Sequence, residues 1–489
     1  MQAVTTKNII HALIAVVAGV SIGLFLQPIG GLTTEGVTVL AIFIPTLYLW
    51  IVMGPVSWVS ILFLAVFILS GIRTPASVWA GSFGHPTFVL VLVFMLFDSN
   101  LRETGVIKYM SDWFVTRKFT QGKPYLFLAM FFASNLIIGI FMQNMALAIM
   151  YVALTSKLCA NLGIKKGDSL YTIMMLGIVW SNAVNHVASP IAKSIPNIII
   201  GLADTNLGIE ITYLQWLMVG VPFIFIVLGI IMLCTRIYNP DVAALKNFDI
   251  KEFSKNKKPL SKRGKISLIA LAALLVMIIV PETLYTMGLS GAVTEFVMGV
   301  TITPWVIIML VVLCLIPVKE KGETKPVMDF AAAVKDLPMG ILLFIAAIIF
   351  AGAPIGAQSA GIVAAISGLL EPVAVHLPAL GIIALLCLIA VILTNFMAST
   401  VVATFIFITG TALFAATGYG GTPTALGFII IGTIAACMGV MMPASTASTA
   451  LYYGEHIGVR DNLKINIIFL LLTLFAIVAL SPIAVAVFS

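Results

Sequence analysis

Lys193 lies in the run VASPIAKSIPNIIIG, residues 187–201, between flanks apolar enough for the interior of a bilayer. An ammonium at that depth costs roughly 2.5–3.5 kcal/mol on insertion scales, and such charges by default mark a substrate or ion path. Pro190 and Pro196 bracket it, so the backbone there is not a plain helix. Three other stretches carry polar atoms in apolar surroundings: Gln143-Asn144-Met145, Ala398-Ser399-Thr400, and Pro443 through Ser445 and Thr446 to Thr449. With Ser189, Pro190 and the residues on to Asn197, they offer amides and hydroxyls that can hydrogen-bond the oxygens of an anion. Half-helix N-termini would add N–H groups and a positive dipole end suited to carboxylates or phosphates. None of the four stretches holds an Asp or Glu, which cation carriers and proton pumps usually keep in their pathways. With Lys193 present, the chemistry points to an anionic substrate.

Each of these residues has a plainer alternative. Hydroxyls in membrane helices can bond a backbone carbonyl or join helices, and Asn144 can form a turn. His186 reads as a packing residue, with a place beside the site as its alternative. Lys193 could snorkel to an interface, but its mid-segment position beside a break favours a functional charge.

The elements that must position these residues belong to a membrane. Hydrophobic residues make up 61% of the 489 residues and charged ones 9%, against about 25% charged in a soluble domain. Such a chain could not cover its own surface in water, so the fold class is an all-α polytopic membrane protein. The five cysteines are scattered through apolar runs and read as small hydrophobes. No motif calls for a metal, nucleotide or redox cofactor. The net charge of +7 lies between apolar runs, which makes it topology information rather than a nucleic-acid face.

A span needs about 20 apolar residues. Single spans are expected over 8–28, 36–53, 57–72, 86–116, 214–236, 265–286, 299–317, 338–370 and 462–487, the first a retained helix rather than a cleaved signal. Segments 123–157, 168–204, 376–415 and 424–455 are too long for one crossing and short for two. Loop charges decide among the options. With 123–157 and 376–415 as re-entrant hairpins and the other two as broken crossings, the basic loops fall on one side. Lys7, Arg117, Lys118, Lys123, Lys157, Lys165, Lys166, the linkers 236–265 and 319–335, Arg460 and Lys464 then share that side. This puts the N-terminus in the cytoplasm and the C-terminus outside. The linker KEFSKNKKPLSKRGK is expected to be a solvated cytoplasmic connector.

FMQNMALAIM from Phe141 resembles FMASTVVATF from Phe396, and SPIAKSIPNIIIG from Ser189 resembles MPASTASTALYYG from Met442, at nearly constant offset. The hairpins open to opposite sides, so the halves form an inverted repeat, the signature of secondary transporters. The expected organisation is an extra N-terminal helix (1–30), a first repeat (31–237), a cytoplasmic linker (238–264) and a second repeat (265–489).

These motifs resemble the divalent anion/sodium symporter family, carriers of di- and tricarboxylates of the citric acid cycle such as succinate, malate, fumarate and 2-oxoglutarate. The region from Gly81, GSFGHPTFVLVLVFMLFDSNLRETGVIKYMSDWFV, resembles that family's fourth span. The resemblance implies about eleven spans with two hairpins, elevator-type alternating access in the plasma membrane, and a homodimer. The family's hairpin tips read Ser-Asn-Thr; here only Asn144 and Thr400 match. Of its Pro-x-Gly-Thr-Pro-Pro-Asn segments, Pro190, Pro443 and Thr446 match, and Lys193 stands where the first segment has Thr. Those tips and segments form the family's two sodium sites, so Lys193 reads as a charge replacing sodium. A lysine cannot leave with the cargo, and moving it unpaired through a dry barrier is costly. The expectation is a sodium-independent anion exchanger. Its alternatives are a sodium-coupled symporter, an anion channel, and a hydrolase pairing Ser189 or Ser194 with Lys193, for which no base-orienting acid is nearby.

Overall fold

The computed structural model describes residues 6–53, 58–191, 193–246, 259–289, 291–300, 302–320, 322–374, 376–417, 423–442, 445–453, 458 and 462–488. The chain is helical almost throughout, as a backbone without water requires. The first part runs α1 (Thr6–Phe25), α2 (Thr34–Met53), α3 (Val59–Leu69), α4 (Pro75–Gly81), α5 (Pro86–Glu103) and α6 (Val106–Val115). There follow α7 (Pro124–Gly139), α8 (Asn144–Asn161), α9 (Ser169–Asn185), α10 (Ser194–Leu207), α11 (Tyr213–Tyr238) and the short α12 (Ala243–Lys246). Beyond the linker come α13 (Lys262–Thr286), α14 (Ala292–Gly299) and α15 (Ile302–Leu315). A two-stranded antiparallel hairpin, β1 (Pro317–Glu320) and β2 (Glu323–Pro326), precedes α16 (Phe330–Lys335), α17 (Met339–Gly356) and α18 (Ile362–Ala374). The chain ends with α19 (Ala379–Thr394), α20 (Ser399–Ala416), α21 (Pro423–Ala435), α22 (Ala447–Tyr453), α23 (Leu463–Ala479) and α24 (Ser481–Phe488).

Among the described residues, seven helical stretches are long and apolar enough to cross a membrane, and α4 with α5 forms a further candidate bent by 45°. Several expected single spans are interrupted. The 86–116 stretch breaks at Gly105, whose φ of +75° ends α5 and starts α6. The 338–370 stretch breaks between α17 and α18, where Gly361 has φ +66°. Both are left-handed positions that glycine takes without steric cost. The expected 462–487 span is one continuous apolar stretch, Leu463–Phe488, made of α23 and α24 meeting at Leu480.

The hairpin at 123–157 is present as α7 and α8. Arg236, at the end of α11, stacks over the Tyr125 ring at the start of α7 (5.3 Å). The Asp241 N–H donates to the Ser169 hydroxyl (3.0 Å), and Ser156 near the end of α8 meets the Tyr171 hydroxyl (3.4 Å). The start of α7, the end of α8 and the start of α9 thus gather where α11 finishes, so the segment goes in and comes back. The second hairpin, α19 and α20, returns near the opposite end of α11. Phe414 stacks on Phe428 (5.5 Å, 3°), Gly427 lies against the Val485 backbone, and Val487 accepts from Gln215 in the first turn of α11 (3.4 Å). The two hairpins point in opposite directions.

The matched elements have matched lengths. The helices α7 and α19 both have 16 residues, α8 and α20 both have 18, and α5 and α17 both have 18. At the centre lies α9, in which every residue from Leu170 to Asn185 is buried, Ser181, Asn182 and Asn185 included. Its Trp180 donates to the Asn466 side chain (2.8 Å) and stacks on Phe469 (4.8 Å, 8°), joining α9 to α23. The peripheral α1 packs on α2 and exposes Leu13, Val17 and Leu24, a face suited to lipid.

Candidate functional site

Next to the first hairpin tip, α7 packs directly against α9. A Cβ at Gly139 would lie 2.0 Å from Asn185 Nδ2, and that amide already donates to the Asn135 carbonyl (3.0 Å) and side-chain oxygen (3.1 Å). The chain then turns through residues 140–143, with Gln143 in extended conformation as the N-cap of α8. Asn144 is 5% exposed and donates from Nδ2 to the Asn182 carbonyl (3.0 Å).

Segment 168–204 breaks after Asn185, leaving a buried loop of irregular backbone up to α10. Such backbone must find partners at membrane depth, and it does. Asn197 donates to the Pro190 carbonyl (2.6 Å) and the Lys193 carbonyl (2.5 Å), and Tyr213 donates to Asn197 Oδ1 (2.8 Å). The Ser189 hydroxyl accepts from the Ile191 N–H (3.0 Å), and Trp216 donates to the Val187 carbonyl (2.8 Å). Gly220 lets α11 approach this loop, since a Cβ there would be 2.3 Å from the Ala188 oxygen.

Lys193 leaves this loop as the N-cap of α10 and is 3% exposed. Its ammonium donates to the Met142 carbonyl (2.5 Å) and to Asn144 Oδ1. The first break and the first hairpin tip are therefore one site.

That site also holds a carboxylate the four segments do not contain. Asp98 of α5 is 2% exposed, and its Oδ1 accepts the Gln143 N–H (3.3 Å). Its Oδ2 accepts from Arg102 Nε (3.1 Å), and Arg102 also bonds Asp336 (2.6 Å). Asp98 and Lys193 thus engage three consecutive residues of the same tip, 142–144. The picture of an unpaired lysine is thus corrected: Lys193 has two oxygen partners, and the same tip also holds a buried carboxylate, itself ion-paired with Arg102. A lone Asp in the apolar run PTFVLVLVFMLFDSN was the available signal.

The second tip and break carry no charged side chain among the described residues. Ala398, the N-cap of α20, has φ −62° and ψ 129°, close to Gln143 at −66° and 135°. Ser399 pairs with the Thr394 hydroxyl (2.9 Å), while Thr400 Oγ1 is buried without a hydrogen-bond partner among the described residues. Asn395 accepts from the Val440 N–H (3.1 Å) and the Met441 N–H (2.8 Å), tying this tip to the break after α21. Ser445 donates to the Gly439 carbonyl (2.9 Å), and the Thr446 hydroxyl caps α22 by accepting from the Thr449 N–H (3.0 Å). Pro443 lies outside the described residues.

The sequence-predicted residues fall into two groups. Lys193, Asn144 and the Gln143 backbone meet at one tip, with Ser189 and Pro190 shaping the loop that delivers the lysine. Ser399, Thr400, Ser445 and Thr446 line the second tip and break. Met145 and Ala398 have no polar side-chain atom and take part through position alone. The halves interlock, α10 packing on α20 and α22 on α8. Among the described residues no group of three His, Cys, Asp or Glu side chains could hold a metal ion. Sequence reasoning did not reach Asp98, Asn395, Asn182 or the scaffold role of Asn197.

The fold is similar to that of the Alcanivorax borkumensis YdaH transporter, whose structure has been described as having an unusual topology. The match covers 98% of this chain and 97% of that one, with TM-score 0.59 and 12% identity. No curated protein matches this chain. Residues 47–431 match the family described as Citrate transporter, rather than the symporter family that the tip and break motifs resemble. With that match over most of its length, the chain belongs to the citrate transporter family.

Proposed function

We propose that this protein carries di- and tricarboxylate anions across the cell membrane by alternating access, with Lys193 as a fixed positive charge where the resembling symporters use sodium. The observation that carries the reading is the buried ammonium of Lys193, 3% exposed at a helix break and bonded to the facing hairpin tip. Around it, amide groups and helix N-termini suit carboxylate oxygens. Opposed hairpins and paired helix lengths support two inverted halves, 31–237 and 265–489, joined by the linker 238–264 on the basic, cytoplasmic side. A homodimer and an elevator motion are part of the reading through the symporter resemblance.

The mode proposed is sodium-independent transport in which a counter-anion accelerates uptake. A fixed cation is best moved through the barrier with an anion beside it. A sodium-coupled reading is favoured by one observation: at the second break the Ser445 and Thr449 hydroxyls gather on the Gly439 oxygen, with Thr446 bonded to Thr449. Purified protein in proteoliposomes, given labelled citrate, succinate and malate with and without sodium, decides between them. Equal uptake without sodium and acceleration by internal anion support the proposal. Strict sodium dependence supports the second reading, and flux indifferent to internal anion supports a channel.

A further inference from the structure

We propose that Asp98 is a tethered counter-anion. In the empty carrier its carboxylate balances Lys193 at the first hairpin tip, and an arriving substrate carboxylate displaces it. The inference rests on the reading of Lys193 as the substrate's fixed partner, and assigns to Asp98 the positioning role that makes reorientation without cargo possible.

Asp98 and Lys193 flank one short stretch of chain. Lys193 grips Met142 and Asn144, and Asp98 takes the N–H of Gln143 between them. That N–H opens an 18-residue helix, a position that favours an anion. Asp98 therefore occupies ground that a substrate carboxylate drawn to Lys193 would contest. Its bond there, 3.3 Å, is just beyond the usual 2.7–3.2 Å N–H···O range and is correspondingly weak. Its bond to Arg102 lies on the other oxygen. Arg102 is itself anchored to Asp336, which also accepts from Ser99 (3.0 Å). Asp98 can leave the tip while still neutralised by Arg102, so its displacement does not strand a buried carboxylate.

The arrangement exists in one half. The equal-length helices α5 and α17 put Ala351 where the first half has Asp98, and Thr446 stands opposite Lys193 at the same offset. Asp98, its partner Arg102 and Lys193 occur together in one half, and Ala351, Ile355 and Thr446 stand at the same offset in the other.

The test compares two fluxes in proteoliposomes with the membrane potential clamped: uptake into vesicles loaded with the same anion, and net uptake into vesicles without it. Wild-type protein is expected to perform both. In Asp98→Asn, Lys193 stays buried without its counter-charge, so net uptake is expected to fall about a hundredfold. Exchange is expected to fall about threefold at most, with a lower half-saturating concentration, since the tethered competitor is gone. Asp98→Glu is expected to retain net uptake. The double variant Asp98→Asn, Lys193→Met removes both charges and is expected to bring the ratio of net uptake to exchange back toward the wild-type value, at reduced affinity. An unchanged ratio in Asp98→Asn overturns the inference, as does parallel loss of both fluxes without restoration of the ratio in the double variant. Wild-type protein that moves no carboxylate in either assay overturns the proposed function, and this inference with it.

Discussion

The ammonium of Lys193 donates to the side-chain oxygen of Asn144, so the break of one span grips the tip of a neighbouring hairpin. Neither residue could hold the other without the loop before α10, whose carbonyls are tied by Asn197. The contact fixes where a positive charge sits relative to a helix N-terminus.

Asn144→Asp should turn that tip against its cargo. A carboxylate beside Lys193 would pair with it permanently and repel an incoming anion, and like-charge juxtaposition costs several kcal/mol. The half-saturating concentration for carboxylate uptake is expected to rise at least about tenfold. A concentration series of uptake checks it, and an unchanged value would remove Asn144 from the site.

Thr400→Val separates a structural hydroxyl from a functional one. Thr400 Oγ1 is buried and has no partner among the described residues, so replacing it with a methyl should leave stability unchanged or slightly raised. If the hydroxyl serves the substrate, uptake should fall about two- to tenfold while the thermal midpoint holds. Measuring both on one preparation decides the matter; a fall in the midpoint alone would make the hydroxyl structural.

Gly220→Ala probes the loop that delivers the lysine. The added Cβ would sit 2.3 Å from the Ala188 oxygen, so helix and loop must part. Overpacking of this kind costs about 1–3 kcal/mol. The expected outcome is a lower thermal midpoint and a greater loss of transport than of folded protein, read by thermal unfolding and uptake together.

The sequence made the local features legible. Segments too long for one crossing and short for two did become hairpins and broken spans, because span length and loop charge act along the chain. Lys193 announced itself as a cation in an apolar run. Asp98 did not join it in the reading, because it lies on another span and only tertiary packing carries it to Gln143. Asn395 is similar: its two backbone acceptances come from residues beyond the following helix. The breaks at Gly105 and Gly361 depend on left-handed backbone that a glycine permits and does not require. The β1–β2 hairpin was hidden in a stretch read only as one of the basic linkers, 319–335. It is anchored by Arg263, which donates its N–H to Glu320 (3.1 Å) and its guanidinium to the Val327 carbonyl (3.2 Å).

The central claim is that a fixed lysine replaces a travelling sodium ion. Its most direct measurement is labelled carboxylate uptake into sodium-free proteoliposomes loaded with the same anion, for wild-type protein and Lys193→Met. The account predicts full wild-type uptake without sodium and a loss of about a hundredfold in the variant, from the buried charge partner it removes. Wild-type uptake that requires a sodium gradient, or a variant that transports as well as wild type, would contradict it.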